Sequence, residues 1–122
     1  MNTKLLMTSS SIVLGLAGVS ALFMPEVLLP TQGAGSIWIQ LMGALYFSFA
    51  LMNWTAKDGI IGGVYARPVS LANFGHFFAG VLLLVKYLLS NPFNLSIFVV
   101  TVVYVAYAAC FYWLVFRATG VK

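Results

Sequence analysis

Four long apolar runs, separated by short stretches that contain proline, glycine or asparagine, constrain this chain more than any other feature. The runs cover about residues 5–24, 36–55, 69–90 and 95–116. Each approaches the roughly 20 residues that a helix needs to cross about 30 Å of hydrocarbon. Because a bilayer offers the backbone no water to bond, such runs fold as helices rather than as open strands. The sequence therefore predicts an all-α membrane protein with four transmembrane helices.

Composition supports this prediction and sets the size of the fold. Of the 122 residues, 62% are hydrophobic and 7% are charged, whereas about 25% of the residues of a soluble domain are charged. A chain of this length is typically one domain, so we expect residues 1–122 to form a single antiparallel bundle. Since little of the chain remains for a soluble catalytic domain, a non-enzymatic protein is favoured.

Lysine and arginine are distributed unevenly along the chain, and this bias predicts its orientation. Five of the six basic residues fall at the N-terminus, in the second loop or at the C-terminus: Lys4, Lys57, Arg67, Arg117 and Lys122. The sixth, Lys86, falls near the opposite ends of the helices, where its long side chain reaches the surface. Because cytoplasmic loops retain basic residues, we expect both termini in the cytoplasm (N-in/C-in). The net charge of +4 then serves lipid contact and not nucleic acid.

The first run follows a lysine, as the apolar part of a secretion signal does, and small residues occur near its end. We interpret it as a retained first span. Small residues also form stripes at which helices approach closely in a membrane. They are Ser11, Gly15 and Gly18 in the first run and Gly43, Ala44 and Ala50 in the second; in the third, Ala72 and Gly80 form the stripe together with His76. The fourth run supplies bulk through Tyr104, Tyr107 and Phe111.

One ionisable residue, His76, lies well inside a predicted span, where such a group is costly and is a functional candidate. At 1.5 Å per residue along antiparallel helices, we expect a polar layer near it in the cytoplasmic half of the bundle. Its other members are Asn73, Tyr46, Asn53 and Tyr107. Two interpretations stay open: a small ligand site, or a neutral histidine whose bond to Tyr46 or to a hydroxyl fixes the helix register.

The second loop, residues 57–68, is the densest polar segment of the chain. Either Asp58 and Arg67 pair and clamp this loop, or Lys57 and Arg67 receive a lipid phosphate or another anionic ligand beside the start of the third helix. The single cysteine, Cys110, excludes an internal disulfide. One histidine cannot supply a closed zinc site. We therefore expect no metal, no cofactor and no catalytic residues.

The middle of the sequence resembles a group of small, uncharacterised bacterial inner-membrane proteins that are loosely DoxX-like. The resemblance rests on residues 43–54 and 62–68, together with Asn73 and His76, and it covers mainly the middle third of the chain. It implies a bacterial inner-membrane location and a four-helix architecture. It also implies a link to quinone-associated respiration, although the sequence contains no redox centre.

The near absence of soluble mass and the abundance of aromatic and small residues favour an accessory or scaffold subunit of a larger inner-membrane complex. Its partners would be lipid, other membrane subunits or further copies of the chain. Two alternatives stay open. The first is an oligomeric small transporter or channel that uses the polar layer around His76. The second is a quinone-linked membrane oxidoreductase subunit, with the quinone near His76 and Tyr46.

Overall fold

Four α-helices form most of the chain that the computed structural model describes, which is residues 3–24, 34–58 and 67–118. Helix α1 spans Thr3–Phe23, α2 spans Ala34–Ala56, α3 spans Arg67–Ser90 and α4 spans Leu95–Trp113. Each is long and apolar enough to cross a membrane. The prediction of four such helices is confirmed, and each begins within two residues of its predicted start.

Asparagine side chains end α3 and begin α4. Asn91 donates from Nδ2 to the carbonyl oxygen of Tyr87, at 3.0 Å, in the last turn of α3. Asn94 is the N-cap of α4, and its Oδ1 accepts from the backbone N–H of Ile97 at 3.2 Å. Helix ends leave backbone groups without helical partners, and bonds of this kind satisfy them. Two capping residues therefore fix the short connection between these antiparallel helices.

The last helix continues into a π-helical turn, Leu114–Ala118. At the start of this turn the backbone N–H of Leu114 contacts two carbonyl oxygens, those of Cys110 and Phe111. Such turns are rare insertions into α-helices and change the direction of the side chains that follow. Leu114 is buried here, whereas the ring of Phe116 is exposed. The helical apolar segment thus reaches Phe116, the predicted end of the fourth run.

The chain divides into two compact units, Met1–Asp58 and Gly59–Lys122. The first contains α1 and α2, and the second contains α3, α4 and the π-helical turn. In each unit the two long helices pack on one another. The prediction of a single domain concerns how these units assemble, and it stays a prediction.

The two helices of the first unit approach closely because glycines face each other where they cross. A Cβ atom added to Gly18 would lie 2.7 Å from the backbone nitrogen of Phe47, and one added to Gly43 would lie 2.8 Å from the carbonyl oxygen of Gly18. Neither position has room for a methyl group. One turn away, a Cβ atom at Gly15 would lie 3.5 Å from Cβ of Ala50, which is an ordinary contact. Small residues thus bring the two backbones together.

The second unit packs through aromatic rings that surround the buried Phe77. The centroid of its ring lies 4.9 Å from that of Tyr104, 5.0 Å from that of Tyr107 and 5.8 Å from that of Phe111. The distance between two helix axes depends on the side chains at their contact. Most of this contact consists of rings, but α3 contributes a glycine at one point. A Cβ atom at Gly80 would collide with the ring of Tyr104.

The described helices expose more large apolar side chains than a protein folded in water does, although their interior is also largely apolar. Leu16 in α1, Leu45 in α2 and Leu89 in α3 are 68%, 64% and 84% exposed. Alongside a mostly apolar interior, six polar residues of the described helices are buried: Ser10, Ser11, Asn53, Ser70, Asn73 and Thr101. Soluble proteins bury polar groups sparingly and avoid large exposed apolar patches. The outward surface of these helices is therefore suited to an apolar environment.

Candidate functional site

His76, the ionisable member of the predicted polar layer, lies in α3 and bonds to α4. Its Nε2 atom lies 2.9 Å from the hydroxyl oxygen of Tyr104, and the two ring centroids are 5.4 Å apart. The ring of Tyr104 occupies the space beside Gly80, about one helical turn further along α3. Because residue 80 has no Cβ atom, Tyr104 can lie along α3 and present its hydroxyl to the histidine.

The sequence predicts Tyr46 or a hydroxyl as the partner of His76, and within the second unit this partner is the hydroxyl of Tyr104. The depth predicted from the rise per residue places Tyr107, and not Tyr104, at the level of His76. The ring of Tyr107 stacks on that of Phe77, with an interplanar angle of 26°. Gly80 is the sequence signal for the role of Tyr104, because a glycine one turn from a histidine leaves space for a ring from the facing helix.

Asn73 lies one turn before His76 and is fully buried. Its Nδ2 atom donates to the carbonyl oxygen of Val69, in the preceding turn, at 2.8 Å. Ser70 is also fully buried and donates in the same manner to the carbonyl oxygen of Arg67 at 3.1 Å. Since buried polar groups are costly without a partner, these bonds within the helix satisfy side chains that face away from solvent.

Asn53 joins α2 to α1 in the first unit. Its Nδ2 atom donates to Oγ of Ser10 at 3.1 Å, and this Oγ donates to the carbonyl oxygen of Met7 at 3.0 Å. Both side chains are fully buried. Leaving such an amide unpaired costs about 1–3 kcal/mol, so the pair favours one register of the two helices. The predicted polar layer includes Asn53 but not Ser10, because the depth of a residue in the membrane does not tell which face of α1 meets α2.

Tyr46 lies in α2 and is partly buried. It belongs to the first unit together with Asn53, whereas Asn73, His76 and Tyr107 belong to the second. The members of the predicted polar layer therefore come from both units. The neighbouring helix of the same unit is contacted by Asn53, His76 and Tyr107. Asn73 bonds within its own helix. The assembly of all five into one site stays a prediction.

A cluster of charged residues joins the start of α1 to the end of α2. The carboxylate of Asp58 lies 3.1 Å from Nζ of Lys4 and 3.5 Å from Nζ of Lys57. Nζ of Lys57 also lies 4.1 Å from the ring centroid of Trp54, which is a cation–π distance. The hydrogen bond from Lys4 and the positive charges of both lysines hold the pKa of Asp58 below its ordinary value.

The predicted pair of Asp58 and Arg67 stays a prediction, because Arg67 begins α3 in the second unit. Residues 59–66, which complete the predicted anion-binding loop, lie outside the described residues. So do Lys122 and the side chain of Arg117. Sequence reasoning misses Lys4 as a partner of Asp58. The available signal is that the predicted topology places the start of the first helix and the end of the second on one side.

An apolar groove with a volume of about 480 Å³ runs between α3 and α4. Phe74 and Phe78 line it from α3, while Tyr112 and Phe116 line it from α4 and the π-helical turn. Phe74 stacks on Phe78 with centroids 5.3 Å apart, and it meets Phe116 edge-on at 5.6 Å. The small side chain of Ala109 lies among these rings and leaves space between them. The sequence signal for this groove is an i, i+4 aromatic pair on each helix.

Among the described residues, no three histidine, cysteine or acidic side chains lie together in an arrangement that would hold a metal ion. No protein-family model matches this chain, and no curated protein or solved structure is significantly similar to it. The DoxX-like resemblance therefore stays a prediction.

Proposed function

We propose that this chain is a multi-pass protein of the bacterial inner membrane that serves as an accessory or scaffold subunit without catalytic activity of its own. The observation that carries the proposal is the extensive exposed apolar surface of its helices, on which leucines such as Leu16, Leu45 and Leu89 face outward. In water such a surface drives association. In lipid the exposed leucines are solvated favourably, and a buried polar pair such as Asn53 and Ser10 links neighbouring helices.

The dimensions of the helices support insertion into a bilayer. The apolar spans contain 21, 20, 24 and 22 residues. At 1.5 Å per residue they extend about 30–36 Å, which matches a hydrocarbon core of about 30 Å.

We infer that both termini face the cytoplasm. Lys4 and Lys57 meet at Asp58, so the start of α1 and the end of α2 carry basic residues at the same end of the first unit. Trp54 beside Lys57 is the combination of aromatic and basic side chains that is typical of a membrane interface. Arg67 at the start of α3 follows the same rule. Lys86, near the other end of α3, is exposed and reaches outward.

A scaffold role is supported by the way the described polar side chains are used. Asn53 and His76 each bond to the neighbouring helix of their unit, and Asn73 bonds within its own helix. The two bonds between helices, those of Asn53 and His76, favour one register in each unit. The exposed apolar surface remains for contact with lipid, with other membrane subunits or with further copies of the chain.

Two measurements on native membranes test this function. We expect the chain to stay in the membrane fraction during alkaline carbonate extraction, because its apolar spans cannot leave lipid for water. We further expect it to co-purify with partner subunits, or as an oligomer, in a mild detergent. Release by carbonate would contradict membrane insertion. A monomer that carries no other protein after gentle extraction would contradict the scaffold role.

A small oligomeric transporter is a second candidate, and the bond between His76 and Tyr104 favours it, because polar pairs inside apolar helices mark transport pathways in many membrane proteins. Liposomes that contain wild-type protein or the His76→Ala variant, loaded with a proton-sensitive dye, distinguish the two functions. Proton flux in the wild type that disappears in the variant would replace the scaffold proposal. Background flux in both preparations would remove a transporter that moves protons through this pair.

A further inference from the structure

We propose that the groove between α3 and α4 holds one acyl chain of an anionic phospholipid whose phosphate contacts Arg67. This inference rests on the membrane insertion proposed above, and it assigns a ligand to a surface that the scaffold role leaves open. The groove volume of about 480 Å³ falls within the roughly 300–1,000 Å³ of small-molecule sites. Its lining is aromatic and aliphatic, which suits a hydrocarbon chain.

The position of Arg67 supplies the charge for the lipid phosphate. Arg67, Phe74 and Phe78 occupy one face of α3, since residues 7 and 11 positions apart return to the same side of a helix. The side chain of Arg67 is exposed, and a guanidinium binds phosphate through two parallel hydrogen bonds. A zwitterionic lipid also carries a phosphate, but the positive charge of its head group offsets the attraction to Arg67, whereas an anionic lipid keeps that attraction. Charge complementarity therefore favours an anionic lipid.

The position of the groove along α3 agrees with a chain that lies in one leaflet of a bilayer. With a rise of 1.5 Å per residue, Phe74 lies about 10 Å and Val81 about 21 Å along α3 from Arg67, and both residues line the groove. One leaflet contains about 15 Å of hydrocarbon. With Arg67 at head-group level, a chain attached to a phosphate there enters the groove beside Phe74 and ends near the middle of the bilayer.

The aromatic walls distinguish an acyl chain from a packed helix. Membrane helices approach most closely through rows of small residues, as at Gly18 and Gly43 in the first unit, whereas the ring contact between α3 and α4 needs interlocking aromatic side chains from both helices. Ala109 lines the groove together with the rings of Phe78 and Tyr112. A flexible hydrocarbon chain adapts to the irregular space between such rings, whereas a helix backbone is held away from it.

Two matched pairs of variants separate the acyl-chain contact from the phosphate contact. Ala109→Phe places a ring in the groove, and Ala106→Phe adds the same ring at an exposed position of α4 that does not line it. Arg67→Gln removes the cation proposed to bind phosphate. Lys86→Gln removes a cation near the opposite end of α3.

The test is a titration of delipidated protein in mild detergent with phosphatidylglycerol or phosphatidylcholine, followed by native mass spectrometry. We expect the wild type to bind one phosphatidylglycerol about fivefold more tightly than phosphatidylcholine, as one cation near a membrane surface provides. Ala109→Phe should weaken the binding of both lipids at least about tenfold, since several methylene groups lose their burial. Arg67→Gln should bind the two lipids equally. Both control variants should behave as the wild type.

Equal lipid affinities in the wild type and in Ala109→Phe would overturn the proposal. A shift from dimer to monomer in Ala109→Phe with unchanged lipid binding would also overturn it, because the groove would then be an interface between copies. Should Ala109→Phe fail to fold, Arg67→Gln decides alone, and a persisting preference for phosphatidylglycerol refutes the proposed site. Failure of the proposed membrane role gives a different result, which is release of the chain by carbonate.

Discussion

The two units of this protein join their helices by opposite means. In the first unit, Gly18 and Gly43 bring two backbones into contact, and Asn53 bonds to Ser10 across the interface. In the second unit, rings cluster around Phe77, and the groove remains open along one side. The difference teaches where added atoms are costly. A backbone contact leaves no room for a methyl group, whereas a ring packed on a glycine can move at a smaller cost.

The largest expected loss of stability comes from adding a methyl group where Gly18 of α1 meets α2. Gly18→Ala places Cβ 2.7 Å from a backbone nitrogen of the facing helix, so the helices must separate. We expect the free energy of unfolding in detergent to fall by about 2–3 kcal/mol, at the upper end of overpacking costs. The control is Gly15→Ala, where the new atom makes an ordinary contact at 3.5 Å. Equal unfolding free energies for the two variants would refute the close crossing.

A smaller loss is expected at the glycine that receives a ring. Gly80→Ala pushes the ring of Tyr104 away from α3 and weakens its bond to His76, and we expect a destabilisation of about 1–2 kcal/mol. Gly75→Ala is the matched control, since a Cβ atom there meets nothing within 4 Å. Alanine is the better helix former by about 1 kcal/mol, so this control should be neutral or stabilising. Thermal unfolding of both variants measures the difference, and a stable Gly80→Ala would count against the ring-on-glycine contact.

The bond between Asn53 and Ser10 sharpens the comparison at the level of a single contact. We expect a double-mutant cycle with Asn53→Ala and Ser10→Ala to give a coupling energy of about 0.6 kcal/mol, typical of hydrogen bonds between membrane helices. Tyr104→Phe with His76→Ala provides the corresponding cycle in the second unit. Additive effects in the first cycle would show that the two side chains do not interact.

The smallest expected effect is the pH dependence of the charged cluster in the first unit. Because the pKa of Asp58 is lowered in the folded state by Lys4 and Lys57, its ion pairs stabilise the fold above the ordinary pKa of 3.8. This contribution is lost as the pH falls through the lowered pKa. Melting temperatures of the wild type and of Asp58→Asn should therefore differ slightly at pH 7 and converge at acidic pH. A difference that grows on acidification would contradict the assigned sign.

The sequence was sufficient to predict the helices, because run length and breaker residues determine which segments can cross a bilayer. It was also sufficient to identify Asn53, Asn73 and His76 as buried or partly buried polar residues. It could not identify the partners Ser10 and Tyr104. Both choices depend on how each helix is rotated about its axis, and a helix that is apolar on all sides has no periodic pattern that reveals this rotation.

The groove shows a second limit of prediction from sequence. Its aromatic pairs are visible as i, i+4 spacings, but such pairs equally fill the interior of a helix pair, as Tyr107 and Phe111 do around Phe77. Whether rings close a space or border it depends on helix separation and on the π-helical turn that holds Phe116. Neither property follows from residue type alone.

Labelling of single cysteines from one side of the membrane tests the central claim most directly. In a Cys110→Ala background, Asp58→Cys and Pro92→Cys place thiols at exposed positions at opposite ends of the predicted spans. We predict that a membrane-impermeant maleimide labels Pro92→Cys in intact spheroplasts and labels Asp58→Cys after the membrane is opened. Labelling of both positions, or of Asp58→Cys alone, in intact spheroplasts would contradict four spans with both termini in the cytoplasm.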